Sequence, residues 1–224
     1  MEEHKTDIPF IESRLRNNIL KMPEEIKQAS GIMIYGRNIK SLVFTTDLAI
    51  IKNCDADAVF AVYPFTPQPS ISEAIIKASY IPVFCGVGGG VTNGLRSVSL
   101  AKDAEHQGAI GVVLNAPISN LNLMAVAKAV DIPVVITITD EKTDVGERID
   151  AGASILNVAA GAKTERIVRQ IRERYPGVPI MASGGNNPHN ISSTIAAGAN
   201  AITYTPPTTK ELFSEIMKNY RDDS

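Results

Sequence analysis

The sequence of 224 residues contains no tryptophan, two cysteines and three histidines. Cys54 and Cys85 stand in unrelated contexts and form no Cys-x-x-Cys motif, which excludes a disulfide framework and favours a reducing compartment. The first 18 residues are polar and charged, so they predict neither a signal peptide nor a membrane span. We therefore expect a cytoplasmic protein with no membrane contact.

The sequence also lacks an excess of either charge. Its 22 Lys and Arg residues nearly balance 24 Asp and Glu residues, and no basic cluster is present, which excludes a general nucleic-acid binder. His4, His106 and His189 are widely separated, so no multi-histidine metal centre is expected. No lysine falls within a predicted strand, which disfavours a Schiff-base aldolase; Lys163 is the only lysine near the predicted mouth.

What the sequence does contain is a repeat of two interleaved motifs. Segments led by a proline alternate with segments led by Gly-Ala, and each is a short run rich in valine and isoleucine, as in parallel strands buried on both faces. Helical stretches separate the runs. With two further runs upstream, the predicted strands are 41–46, 58–63, 82–86, 110–115, 132–138, 154–158, 179–183 and 200–204.

Eight strands, each followed by a helix, predict a (β/α)8 TIM barrel that occupies residues 1–224 as a single domain. An open doubly wound sheet is the alternative. Residues 1–40 form an N-terminal extension: 7–28 predict one or two helices outside the barrel, and GIMIYGR (31–37) predicts a short strand or hairpin at the barrel floor. Capping boxes predict helix starts at Ser70 with Glu73, Asp144 with Glu147 and Thr208 with Glu211.

Over its last two-thirds, through IPVVITITD, AGASILNV, VPIMASGG and AGANAITYT, the sequence resembles the superfamily of barrels that share a phosphate-binding site. That superfamily includes the tryptophan-pathway barrels, the phosphosugar epimerases and the flavin-binding barrels related to inosine-monophosphate dehydrogenase. The resemblance implies that Gly184 and Gly185 donate backbone N–H groups to a phosphate. The sequence departs from the superfamily after strand eight, where Pro206 and Pro207 have no N–H to donate.

Polar and glycine-rich segments follow the predicted strands and mark the ligand-binding mouth of a barrel. GVGGG (86–90) predicts an anion nest or, alternatively, a flexible rim loop. SGGNN (183–187) predicts a phosphate site at the following helix or, alternatively, a plain turn. The predicted ligand-binding residues are Gly88, Gly89, Gly90, Asn157, Ser183, Gly184, Gly185, Asn186 and Thr205.

Three residues at strand ends are predicted to be catalytic. Asp47 and Asp140 follow strands one and five, which face each other across a barrel, so either carboxylate is a candidate general base; the alternative for each is helix capping. Asn115 is predicted to stabilise a carbonyl or enolate oxygen, or else to make a core-edge hydrogen bond. Cys85 is interpreted as a buried apolar group and His189 as a solvent-facing helix residue.

These features favour an enzyme that acts on a small phosphorylated or anionic metabolite by proton transfer, as an isomerase, epimerase or lyase. No cofactor is required by that hypothesis. The alternatives are a barrel oxidoreductase that binds FMN, and a non-catalytic ligand-binding or scaffold barrel, which the scarcity of Lys, His and Glu at the predicted mouth suggests. A homo-oligomer is compatible with the sequence, although no partner helix can be recognised.

Overall fold

A computed structural model describes residues 19–185 and 187–222 of the chain. Of the helical segment predicted over 7–28, residues 7–18 lie outside the described residues, and the rest contains one 3-10 helix, Glu24–Gln28. The predicted ligand residue Asn186 also lies outside the described residues. The strands are β1 (Ile32–Ile34), β2 (Arg37–Ile39), β3 (Ser41–Phe44), β4 (Ala58–Ala61), β5 (Val83–Gly88), β6 (Gly111–Leu114), β7 (Val134–Ile138), β8 (Ile155–Val158), β9 (Ile180–Ser183) and β10 (Ala201–Tyr204). Strands β3 to β10 form a closed parallel barrel in chain order, which confirms the predicted fold and all eight predicted strands.

Helices follow each barrel strand on the outside. They are α1 (Leu48–Lys52), α2 (Pro69–Ala78), α3 (Leu95–His106), α4 (Asn120–Ala127), α5 (Val145–Asp150), α6 (Thr164–Arg174), α7 (Pro188–Ala196) and α8 (Thr209–Asp222), with short 3-10 helices at Glu24–Gln28 and Gly161–Lys163. None of the helices in the described ranges is long and apolar enough to cross a bilayer.

Two of the three predicted capping boxes are confirmed. Asp144 accepts a hydrogen bond from the Glu147 amide at 3.1 Å, and the Glu211 carboxylate accepts from the Thr208 amide at 2.8 Å. The box at Ser70 is wrong, because α2 begins at Pro69. Proline suits the first helical position, where its missing N–H is not needed, and Ser70 therefore falls inside the helix.

The barrel strands separate two apolar cores. The outer core lies between the strands and the helices and includes Val43, Val112 and Val168, all fully buried. The inner core fills the lower part of the barrel lumen with Leu42, Phe60, Phe84, Val113, Val135, Ile155 and Met181, among others. The lumen is thus a packed interior rather than a pore.

Strands β1 and β2 form the floor hairpin that the sequence predicted. Tyr35 and Gly36 make its turn with φ of 47° and 79°, and consecutive positive φ values are typical of tight hairpin turns matched to strand twist. Ile32, Ile34 and Ile39 belong to the same buried cluster as the lumen residues. The hairpin therefore plugs the amino-terminal end of the barrel, and the opposite end is the mouth.

Candidate functional site

The inward-facing residues change from apolar to polar toward the mouth. Alternate residues of a strand share one face, so the residue two positions after an inner-core residue also faces the lumen. In β8 the inner-core residue is Ile155 and the polar residue above it is Asn157. In β10 the corresponding residues are Ala201 and Thr203. The same step places Asn115, Thr137 and Ser183 in the upper layer.

This polar layer surrounds a cavity of about 190 Å³, here called the central cavity. Phe44 and Phe60, with ring centroids 6.1 Å apart, form an apolar wall with Ala159. The polar wall consists of Asn115, Thr137, Asn157, Ser183, Thr203 and Thr205. No ionisable side chain lines the central cavity within residues 19–185 and 187–222.

Side-chain hydrogen bonds join four residues of the polar wall into one chain. Thr137 Oγ1 donates to Asn115 Oδ1 at 2.8 Å. Asn157 Nδ2 donates to Thr137 Oγ1 at 3.3 Å, and Thr203 Oγ1 is 3.4 Å from Asn157 Oδ1. The Asn115 amide nitrogen has no hydrogen-bond partner among the described residues. A fixed amide N–H beside a small cavity is suited to a carbonyl, carboxylate or enolate oxygen.

Three further cavities each share one or more lining residues with the central cavity. One, here called the loop cleft, has a volume of about 580 Å³ and shares Thr137 with it. A second, here called the glycine-loop cavity, has a volume of about 250 Å³, is lined by Gly88, Gly89 and Gly90 and shares Asn115. A third, of about 420 Å³, shares Ser183. The loop cleft is lined by Gly90, Asn93, Ala116, Pro117, Ile118, Ser119, Asn122, Thr137, Thr139, Asp140, Thr143 and Arg148.

Asp140 supplies a carboxylate to the loop cleft, and Arg148 supplies a guanidinium. Asp140 Oδ1 accepts from the Lys142 amide at 2.8 Å and from Thr143 Oγ1 at 3.3 Å. It does not cap the next helix, because Asp144 is the N-cap of α5. Arg148 Nη1 donates to the Ile118 carbonyl at 2.8 Å. Asp140 thus retains a position from which its carboxylate can meet a ligand.

The other candidate carboxylate, Asp47, is the N-cap of α1. Its Oδ1 accepts from the amides of Ala49 and Ile50 at 2.8 and 3.4 Å, and its Oδ2 accepts from the Thr209 hydroxyl. The hydrogen bond from Thr209 is the main reason that the pKa of Asp47 lies below its ordinary value. Asp47 lines neither the central cavity nor the loop cleft, so the structure does not bring the two aspartates together.

Internal contacts account for the glycines after β5. The Gly89 amide donates to the Thr92 carbonyl at 2.8 Å, and the Gly90 amide donates to the Pro117 carbonyl at 2.9 Å. Gly89 has φ of 127°, and a Cβ there would lie 2.6 Å from the carbonyl oxygen of Asn115. These two amides therefore already donate hydrogen bonds within the protein and are not available to bind an anion. Glycine is needed at position 89 because a side chain there would clash with Asn115.

Acidic side chains stand at both places that the superfamily resemblance assigned to phosphate. Gly184 and Gly185 line a cavity of about 420 Å³ together with Glu165, whose pKa is lowered by hydrogen bonds, chiefly from Arg169. At the start of α8, Glu211 accepts hydrogen bonds from both the amide and the hydroxyl of Thr208 at 2.8 and 2.7 Å. A phosphate at either place would meet a carboxylate of the chain itself.

The remaining candidates take structural or surface positions. Cys85 is 1% exposed, and burial raises the pKa of its thiol to about 11, which confirms the interpretation of a buried apolar group. His189 is exposed on α7 and Lys163 is exposed in the second 3-10 helix. No group of three or more His, Cys, Asp or Glu side chains able to hold a metal ion occurs in the described ranges.

The predicted site residues do not include Thr137, Thr203 or Arg148, although both threonines begin predicted mouth segments. The two threonines lie inside apolar runs, and the signal that finds them is their position two residues after the inner-core residues Val135 and Ala201. Arg148 lies in α5, and no sequence signal indicates that it reaches the Ile118 carbonyl, 30 residues earlier in the chain.

The sequence matches no protein-family model and no curated protein sequence. Solved structures resemble the fold. A phosphoenolpyruvate phosphomutase from Streptomyces platensis subsp. rosaceus has a TM-score of 0.61 and 14% identity, covering 81% of this chain and 80% of that one. A 2,3-dimethylmalate lyase of the PEP mutase/isocitrate lyase superfamily has a TM-score of 0.61 and 12% identity over 93% and 85% of the two chains.

A third similar structure is the dihydrodipicolinate synthase of Agrobacterium tumefaciens str. C58. Its TM-score is 0.57 and its identity 16%, over 81% of this chain and 72% of that one. At such low identities the similarity establishes the (β/α)8 barrel fold that the strand topology also shows.

Proposed function

We propose that this protein is a barrel enzyme that acts on a small anionic metabolite by proton transfer, as an isomerase or a lyase. The proposal rests on the hydrogen-bonded chain that runs from Asn115 through Thr137 and Asn157 to Thr203 around the central cavity. Such a wall offers amide and hydroxyl donors to an oxygen that gains negative charge during the reaction. Solved structures of similar fold include a mutase and a lyase, which supports the proposal at the level of reaction class.

In this proposal Asn115 stabilises the carbonyl or enolate oxygen, with Thr137 fixing its amide group. Thr137 Oγ1 donates to the Asn115 oxygen, and this orients the amide nitrogen away from Thr137. Asp140, in the adjoining loop cleft, is the general base. Asp47 is assigned to helix capping rather than to catalysis because three hydrogen bonds already engage its carboxylate.

The test is proton exchange in D₂O. The protein is incubated with a panel of small 2-oxo acids, hydroxy acids and sugar phosphates, and deuterium incorporation next to the carbonyl group is followed by proton NMR. We expect exchange or bond cleavage with a member of the panel, a loss of at least about a hundredfold in Asp140→Asn, and little change in Asp47→Asn. Equal rates in the wild type and Asp140→Asn would remove the assignment of the base.

A second candidate function is a non-catalytic ligand-binding barrel. It is favoured by the lack of any ionisable side chain around the central cavity in the part of the chain that the structure describes. A ligand that binds there, is recovered chemically unchanged and acquires no deuterium would support this second function and contradict the first.

A further inference from the structure

We infer that Arg148 binds an oxyanion of the substrate, a carboxylate or a phosphate, in the loop cleft. The inference rests on the proposed function and adds to it the place and the chemistry of the anion. It moves the expected anion site from the β9 and β10 loops, where the superfamily resemblance placed it, to the part of the mouth beside β6 and β7.

The first observation is that only one nitrogen of the Arg148 guanidinium is engaged. Nη1 donates to the Ile118 carbonyl at 2.8 Å and to Asn120 Oδ1 at 2.7 Å. Nη2 and Nε have no hydrogen-bond partner in residues 19–185 and 187–222. A guanidinium presents five N–H donors in a fixed fork that matches the oxygens of a carboxylate or a phosphate. The donors needed for such a contact are therefore available.

Arg172 shows how a purely structural arginine of the same protein looks. Its Nε, Nη1 and Nη2 donate to the carbonyls of Pro176, Val178 and Gly198 and to Asn200 Oδ1, at 2.6 to 3.2 Å. All three of its nitrogens are engaged. Two other arginines, Arg166 and Arg169, form ion pairs with Glu141 and Glu165. Arg148 has neither pattern, and it forms no ion pair with a described residue.

The second observation is that the chain holds Arg148 in place before any ligand arrives. Asn120, which accepts from Arg148 Nη1 at 2.7 Å, itself donates through Nδ2 to Glu147 Oε2 at 3.0 Å. The Ile118 carbonyl, the other acceptor, belongs to a residue that is 7% exposed. A guanidinium anchored through one nitrogen loses less conformational entropy when it binds a ligand.

The third observation is the distribution of charge at the mouth. Among the described residues, Arg148 is the single cation lining the central cavity, the loop cleft and the glycine-loop cavity. Thr137 lines both the central cavity and the loop cleft. A substrate that extends past Thr137 from one cavity into the other would place its reacting oxygen at Asn115 and its oxyanion at Arg148. A small oxo acid or a phosphorylated carbonyl compound has both groups.

The experiment titrates the full-length protein with oxalate and, separately, with inorganic phosphate at low ionic strength. Binding is measured by calorimetry, and the Arg148 Nε–H resonance is followed by NMR. We expect saturable binding of at least one probe with a shift of that resonance, and a loss of affinity of about tenfold or more in Arg148→Met. Arg148→Lys should recover part of the affinity, since it keeps the charge without the fork. The preferred probe tells a carboxylate site from a phosphate site.

Arg169→Met is the matched control, because the side chain of Arg169 forms an exposed ion pair with Glu165 and lines none of the cavities described above. It should bind the probes as the wild type does. Asp140→Asn should bind them several times more tightly, because a carboxylate lining the same cleft is removed. The inference is overturned if wild type and Arg148→Met bind both probes equally, if neither probe binds saturably, or if the shifts map to Gly184 and Gly185.

The anion site and the proposed function can fail separately. If Arg148→Met loses the probe but no metabolite exchanges its proton in D₂O, the anion site stands and the reaction class falls. If proton exchange is observed and remains unchanged in Arg148→Met, the enzyme assignment stands and the anion site falls. The fold of each variant is checked by its thermal unfolding before the comparison.

Discussion

The hydroxyl of Thr209 donates a hydrogen bond to the carboxylate of Asp47. Asp47 lies between the first barrel strand and α1, and Thr209 is the first residue of α8, the last helix. This contact therefore ties the beginning of the barrel to its end, 162 residues apart in sequence, at the seam where β10 pairs with β3. Asp47, which the sequence predicted as a candidate general base, thus stabilises the closure of the barrel.

Asp47→Ala is expected to destabilise the fold by about 1 kcal/mol, the usual cost of losing an N-cap, with a small addition from the Thr209 contact. The measurement is chemical denaturation at pH 7. Asp131→Ala is the control, since Asp131 is exposed and its side chain makes no hydrogen bond to the described residues. Equal stabilities for the two variants would show that the cap and the seam contact contribute nothing.

The same variant should also change how stability depends on pH. Because the folded-state pKa of Asp47 is lowered below 3.8, its carboxylate stabilises the folded state at pH values above 3.8 and loses this effect as the pH falls through the folded-state pKa. The difference in unfolding free energy between the wild type and Asp47→Ala should be constant from pH 7 to about 5 and should shrink below that. A difference that grows toward acid pH would contradict this sign.

Thr137→Val should cost about 1–3 kcal/mol, because it leaves the Asn115 oxygen and the Asn157 amide without their shared partner. Thr139→Val, two residues nearer the solvent and exposed, is the matched control and should change stability little. A double-mutant cycle of Thr137→Val with Asn157→Ala should give a coupling energy of about 0.5–3 kcal/mol. Additive effects would show that Thr137 and Asn157 are not coupled.

Gly89→Ala should be strongly destabilising. Its φ of 127° and the 2.6 Å approach of a Cβ to the Asn115 carbonyl both disfavour any side chain, and backbone strain alone costs about 1–3 kcal/mol. Gly177→Ala is the control, because a Cβ there has nothing within 4 Å and no positive φ is required. Thermal unfolding compares the two; a Gly89→Ala protein as stable as the control would contradict the packing argument.

Ile39→Ala should destabilise the protein by about 2–5 kcal/mol, the range for removing a large buried aliphatic side chain. Ile39 is 1% exposed in the floor hairpin. Met33, on the same hairpin, is 68% exposed, so Met33→Ala should change the free energy of unfolding by less than about 0.5 kcal/mol. Urea denaturation measures both. Similar losses for both would mean that the hairpin is not an integral part of the core.

The fold could be predicted because each structural unit carries its own signal. Pro133 and Gly152, for example, mark the starts of successive apolar runs, and the structure has a strand after each. The hairpin could be predicted only from its first strand, an apolar run that ends at Tyr35 and Gly36, because the second strand, Arg37–Ile39, has one apolar residue. The Ser70 capping box failed because two start signals, Pro69 and Ser70, are adjacent and proline is the stronger.

The site could be predicted only in part, because it depends on which face of each strand points inward. Asn115 and Asn157 were found since they end apolar runs, whereas Thr137 stands within one. Asn157 and Thr137 are paired neighbours on adjacent strands, a register that no single-strand pattern contains. The contact of Arg148 with Ile118 depends on how helix α5 packs against the loop before α4, which is a tertiary property.

The floor hairpin has a consequence for the kinetics of any reaction at the central cavity. Ile34 and Ile39 close the bottom of the lumen, and within the described part of the chain the packed side chains above them leave no passage. Substrate must therefore enter, and product must leave, through the mouth of the barrel. The product that leaves last should inhibit turnover competitively with substrate, because both enter the same empty cavity through the mouth.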